Sequence, residues 1–183
     1  MTIQLSYAPS LTESVRPIEF EDIEALARWL DEQPAVSNKT DSGIIIAATF
    51  DNYPITAKER TLDRATTTSA AFLDFDDGSV TPEEVAQELE DAGLQFIIRP
   101  TFSSTPEAPR FCAIVPYDQA CPADKHRAAI DRILRPCLNG HAAFASESLV
   151  PVQPRFVSLK SGGSNDILPV SYTHLTLPTS DLV

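Results

Sequence analysis

Three carboxylates, Asp74, Asp76 and Asp77, close an apolar run in the stretch AFLDFDDGSV, residues 71–80. Ionised carboxylates beside a core are costly unless a cation or hydrogen-bond donors compensate them, so the cluster reads either as a solvated strand end or as a site. Side chains alternate along a strand, which places Phe72, Asp74 and Asp76 on one face and Ala71, Leu73 and Phe75 on the other. Two carboxylates at i and i+2 on an open sheet face can hold Mg²⁺ that also takes phosphate oxygens, the arrangement that phosphoryl transfer needs. A D-x-D after an apolar strand is weak evidence alone, because Asp-Asp-Gly also makes a good turn.

The elements around it give the pair a frame. PIEFEDIEALARWLDEQ sets Phe20, Ile23, Ala27 and Leu30 at helical spacing and predicts a helix beginning near Pro17 and ending before Pro34. GIIIAATF predicts a strand over 43–50, and the polar stretch between Asp51 and Thr68 predicts a loop. Residues 71–75 are the next strand. TPEEVAQELEDAG follows as a helix with Thr81 as N-cap, Pro82 at the first position, Glu84 completing a capping box and Gly93 as the stop. LQFIIRP and PRFCAIVP are strands separated by the turn-rich TFSSTPEA. ADKHRAAIDRILRP is a helix ended by Pro136, and PRFVSL, 154–159, a last strand. The order β-α-β-β-α-β predicts an α+β fold with a ferredoxin-like, RRM-like core and an N-terminal α/β elaboration, its second sheet face free for a ligand or a further layer.

Bulk properties narrow the class. With 183 residues, 43% of them hydrophobic, the chain is long enough for one substantial domain. No run approaches the roughly 18 apolar residues that span a bilayer, and MTIQLSYAPS lacks the charge and apolar pattern of a secretory signal. Cys112, Cys121 and Cys137 form neither an even set nor a CxxC pair, which favours free thiols and a cytoplasmic setting. The net charge of −12 argues against a generic nucleic-acid-coating surface and leaves room for a local basic groove. Within the tail, VSYTHLTLPT (170–179) resembles the in-frame translation of a transposase-type sequencing adapter. The expectation is therefore a natural domain over 1–169 with its RRM-like core at about 70–160, cut from a longer reading frame, and a non-native tail over 170–183 that removes His174 from consideration.

AFLDFDDG, a helix, RPTFSSTPEAPRFCAIVP, a second helix and VPVQPRFVSL together resemble the catalytic core of the archaeo-eukaryotic primase superfamily, in particular the primase–polymerase domains of phage and plasmid replication proteins. The resemblance spans about Lys39 to Leu159. It implies that Asp74 and Asp76 bind Mg²⁺ or Mn²⁺, that the partners are a DNA template and nucleoside triphosphates, and that a fused helicase follows in the longer protein. It places Ser103 and Ser104 of TFSST at the incoming nucleotide's phosphates, with Ser104 standing where the family carries histidine. A serine hydrogen-bonds phosphate but brings no imidazolium charge. The family's third acid falls shortly before the final strand, where this chain offers Glu147, and Cys112 replaces a common arginine.

Basic residues near the same face are Arg99, Arg110, Arg155 and Lys160. Arg110 and Arg155 each begin a PRF segment, from which they reach triphosphate or template backbone, and Lys39 faces the site by resemblance. Phe102 is placed to stack on a base, whereas Trp29 with Phe20 reads as a core stripe. His126 reads as solvent-exposed on a polar helix, and His141 as a loop histidine. Two other functions fit the same residues: a catalytically inactive nucleic-acid-binding module of a replication helicase, and a haloacid-dehalogenase-like phosphatase with Asp74 as nucleophile. The second lacks a hydroxyl four positions after Asp74, where Gly78 stands.

Overall fold

The computed structural model describes residues 2–138 and 143–161 and, as backbone, 168–171. His141 and His174 lie outside the described residues. Two antiparallel sheets and a few helices give an α+β fold.

The first sheet sets Arg16–Phe20, Ile3–Ala8, Ile44–Ile46 and Arg155–Phe156 side by side in that order, and the second Ala48–Phe50, Ala65–Phe75, Phe111–Pro122, Phe96–Pro100 and Leu168–Ser171. The chain opens with β1 (Ile3–Ala8), which pairs with β2 (Arg16–Phe20), setting Ile3 opposite Phe20 and Tyr7 opposite Arg16. The predicted helix therefore begins later than its hydrophobic spacing implies. α1 covers Ile23–Asp31, with the Asp22 carboxylate accepting from the Ala25 N–H at 2.7 Å. Pro17 is tolerated in β2 because that strand is an edge. The apolar run predicted as one strand is two, β3 (Ile44–Ile46) and β4 (Ala48–Phe50), which pass from the first sheet to the second at buried Ala47.

The second sheet contains the acid-bearing strand. β5 (Ala65–Phe75) begins earlier than predicted and pairs along β7 (Phe111–Pro122), which in turn pairs with β6 (Phe96–Pro100). The crossover α2 (Pro82–Asp91) starts as predicted: the Thr81 hydroxyl accepts from the Glu84 N–H, and the Glu84 carboxylate accepts from the Thr81 N–H at 2.8 Å. Gly93 ends the segment at φ +71°, a conformation cheap only for glycine. Thr81→Ala is expected to cost about 1 kcal/mol of unfolding free energy, read by urea denaturation.

After β7 the helical segment comprises α3 (His126–Ala129), a wider π-helical turn over Ile130–Leu134, and α4 (Arg135–Cys137). Pro136 lies inside the last turn, where its missing N–H leaves one helical bond unmade. The predicted final strand shrinks to β8 (Arg155–Phe156) and pairs with β3 of the first sheet. The position beside β5 that a ferredoxin-like fold gives its last strand is filled here by β4. At the far edge, β9 (Leu168–Ser171) pairs with β6 and straddles residue 169, the expected end of natural sequence.

The alternation read from the sequence sorts the core correctly. Ala71, Leu73 and Phe75 pack with Val85 and Leu89 of α2 and Ile130 and Leu134 of the later helix, and the Phe75 and Phe111 rings stack at 4.8 Å. On the opposite face Phe72, Ile97 and Ile114 pack against Ile3, Leu5, Leu26 and Leu30. That face is thus covered by a further layer of α1 and the first sheet. Tyr7 and Phe20 close around Trp29 at 5.3 and 5.5 Å, so this ring belongs to the core. Among the described residues no helix is long and apolar enough to cross a membrane.

Candidate active site

The covering layer stops short of the end of β5, and a pocket of about 300 Å³ opens there between the two sheets. Asp74 and Asp76 both line it, joined by Lys39, Ser103, Arg110 and Arg155. Also present are Arg99, Phe102, Cys112 and Glu147. Residues drawn from six separated stretches of sequence thus converge on one cavity. Its wall carries four cations, Lys39, Arg99, Arg110 and Arg155, against the three carboxylates of Asp74, Asp76 and Glu147. This is a local excess of positive charge on a chain whose net charge is −12.

Asp74 is the most constrained of the acids. Its carboxylate Oδ2 lies 2.8 Å from Arg155 Nε, with both side chains only 12–13% exposed. The guanidinium's Nε–H is not aimed along that line, so the pair is electrostatic and the nitrogen is left without a hydrogen-bond acceptor. Burial pushes the Asp74 carboxyl above the usual carboxylate range; Arg155 pulls it down, while the charges of Asp76 and Glu147 add to the rise. Asp76 stands just beyond the strand and is exposed.

The backbone of Asp74 is fixed from the far side by a short turn. Its carbonyl accepts from the Ala145 N–H at 2.7 Å, and its N–H donates to Ser148 Oγ at 3.0 Å. The turn over Ser146–Leu149 that carries Glu147 is held in turn by His126. Contrary to the sequence reading, His126 is 1% exposed: Nδ1 meets the Tyr117 hydroxyl at 2.9 Å and Nε2 meets the Ser148 carbonyl at 3.1 Å. The tautomer that satisfies both contacts has Nε2–H donating to Ser148 O, with Nδ1 accepting from Tyr117 O–H. Burial lowers the imidazole pKa to about 4, so the ring is neutral at physiological pH. Ser148→Ala strands the Asp74 N–H without its acceptor and is expected to lower stability by about 1–3 kcal/mol, measured by chemical denaturation.

The loop between β6 and β7 brings Ser103 and Phe102 to the rim. Thr101 N–H donates to Arg110 O at 2.8 Å, and Arg110 N–H donates to Ser104 Oγ at 3.0 Å. Ser104 therefore braces the loop, and it does not line the pocket as Ser103 does. Lys39 sits 4.8 Å over the Phe156 ring, and both line the pocket together with Arg155. Lys160 is exposed and outside the lining. Glu147, offered by the resemblance as the third acid, and Arg99, one of the basic residues read near this face, both line the pocket. Their signals were positional: an acid preceding PVQPRF, and a charge at the end of the apolar strand FIIRP.

The hard oxygen donors that a divalent cation would meet in this pocket are the carboxylates of Asp74, Asp76 and Glu147. Among the described residues no three or more His, Cys, Asp or Glu groups stand close enough to cage an ion. The set fits a Mg²⁺-type ion held by one or two carboxylates and completed by ligand oxygens and water, and it does not fit a zinc or calcium cage.

The fold and site define an α+β domain with an acid- and arginine-lined pocket at the seam of two sheets. Among solved structures it is similar to the AEP domain of the cyanophage S-2L primase-polymerase (PrimPol), with 13% identity over 93% of this chain and 81% of that one, and a TM-score of 0.47. No protein-family model matches the sequence. No curated protein matches it either.

Proposed function

We propose that this chain is a primase–polymerase-type nucleotidyltransferase domain that joins nucleoside triphosphates on a DNA template. The observation that carries the reading is the meeting of the D-x-D pair with Lys39, Arg110 and Arg155 in one pocket. An acid pair alone repels a triphosphate and a basic pocket alone does not gather metal, whereas the two together suit a polyphosphate carrying a divalent cation. Mg²⁺ or Mn²⁺ held by Asp74 and Asp76, when bound, would neutralise phosphate oxygens and lower the pKa of an attacking hydroxyl.

The chain's own groups do the rest. Arg110 and Lys39 are exposed on the rim and offer charge to the incoming polyphosphate, and Ser103 supplies a hydroxyl donor. A phosphate arriving at Arg155 competes with Asp74 for the guanidinium and so releases the Asp74 carboxylate. Phe102, half-buried at the mouth, offers a ring face to a base.

The test is nucleotide incorporation on single-stranded DNA with Mn²⁺. Product from the wild-type chain that disappears in Asp74→Asn/Asp76→Asn supports the reading, and absence of product with intact nucleotide binding sinks the enzyme. That second outcome defines the alternative, a nucleic-acid-binding module without catalysis, which the serine at Ser104 and the masking of Asp74 by Arg155 favour. The phosphatase alternative gains nothing, because Gly78 lies at φ +71° in an open turn with no group around it.

A further inference from the structure

The floor of the pocket holds a cation that the acid pair does not explain. Arg99, on β6, is 5% exposed. The register places it opposite Cys112, which is itself opposite Asp74, so the three residues form one row across the sheet. Arg99 and Asp74 are thus two strand spacings apart, about 10 Å. Among the described residues no carboxylate comes within ion-pair distance of Arg99.

A guanidinium presents five N–H donors and cannot shed its charge by ordinary titration. Here Nη2 donates to the Val157 carbonyl at 2.7 Å, and Nε–H is buried with no acceptor. A buried charge with an orphaned donor costs stability unless something pays it back, and a structural clamp on Val157 needs only an uncharged donor. Arg155, the neighbouring buried guanidinium, has Asp74 for its counter-charge. Asp31, exposed at the end of α1, acts on Arg99 only through space, so the orphaned Nε–H of an otherwise unpaired guanidinium is the feature that points to a ligand.

We propose that Arg99 is a phosphate anchor at the pocket floor, holding an anionic phosphate group directly and without a divalent cation. The inference rests on the reading that a phosphorylated ligand enters this pocket, and it adds a metal-independent point of attachment to it. The anchor stands apart from the acid pair, so a ligand bound at both points spans the row from Asp74 to Arg99. A nucleotide's polyphosphate tail and a nucleic-acid backbone share the required chemistry.

The test is calorimetric titration in EDTA of inorganic tripolyphosphate and, separately, of a short single-stranded oligodeoxynucleotide, into wild type, Arg99→Lys and Arg99→Met. Arg99→Met is expected to weaken one of them by roughly 10- to 100-fold, with Arg99→Lys intermediate. Loss confined to tripolyphosphate assigns a nucleotide tail, and loss confined to the oligonucleotide assigns a strand. Should the variants fold poorly, the wild-type Nε–H resonance of Arg99 gives the same answer, since it must shift on adding the bound probe. Equal affinities in all three proteins, or an unmoved resonance, overturn the anchor alone. Absence of any binding, with or without Mn²⁺, overturns both the anchor and the reading it rests on.

Discussion

Asp76→Asn is expected to lower template-directed incorporation about a thousandfold, the effect of removing several kcal/mol of charge stabilisation, while leaving the urea midpoint unchanged. Asp76 is exposed, lies past the end of β5 and makes no ion pair among the described residues, so the fold has no use for its charge. Surface changes of this kind stay within about 0.5 kcal/mol. Asp74→Asn is a less clean probe, because it removes the carboxylate that compensates buried Arg155 and disturbs stability along with chemistry. A primer-extension assay in Mn²⁺ reads the difference. If Asp76→Asn retains wild-type activity, the exposed acid takes no part in the chemistry.

Acid should unfold this protein through His126. Its folded pKa of about 4 lies below the ordinary value near 6.5, so between those two pH values the unfolded chain takes up a proton that the folded chain refuses. Linkage then makes stability rise with pH across this window: the contribution is complete above about 6.5 and is lost as pH falls toward 4. Its size is on the order of 3 kcal/mol. Asp22, Glu59 and Asp77, whose hydrogen bonds hold their carboxyls below the usual range, lose their contributions lower in the scale. Urea denaturation at pH 7, 5.5 and 4.5 should show the falling midpoint, and His126→Gln, weaker at pH 7, should flatten it. An equal slope in wild type and variant would assign the loss to other groups. The added proton falls on Nδ1, which accepts from the Tyr117 hydroxyl, so that contact is the one the charged ring gives up, while Nε2–H goes on donating to the Ser148 carbonyl.

The legible part of this fold is the segment in which local rules agree. From Ala71 to Val115 the alternation, the capping box at Thr81 and Glu84, the stop at Gly93 and the turn-rich loop all point the same way, with Asp74 inside β5 and Asp76 just past its end. β2 was hidden because Phe20 fits the helical stripe of α1 as well as it fits a strand; the discriminating signal was Asp22, an N-cap five residues past Pro17. GIIIAATF is apolar on both sides, so nothing in it marks Ala47 as the point where the chain changes sheets.

The site was half legible for the same reason. Asp74 and Asp76 are adjacent enough in sequence to reach one pocket, although Asp76 lies past the end of β5. His126 sits among Asp124, Lys125 and Arg127, and its burial is dictated by Tyr117 and Ser148, which no local pattern connects to it. Arg99 reaches the pocket only because β6 pairs with β7 in the register that aligns it with Cys112. Ser104 accepts the Arg110 N–H through its Oγ, a partner that no local pattern marks, and its O–H remains a donor.

The most direct measurement is the site of Mn²⁺ binding in the presence of a nucleoside triphosphate, mapped by paramagnetic broadening of backbone amide resonances. The account predicts broadening centred on Asp74 to Asp77 and on the Ser146–Leu149 turn, and its loss in Asp74→Asn/Asp76→Asn. Broadening centred instead on the acidic face of α2, around Glu83 and Glu90, or unchanged in the double variant, would contradict it.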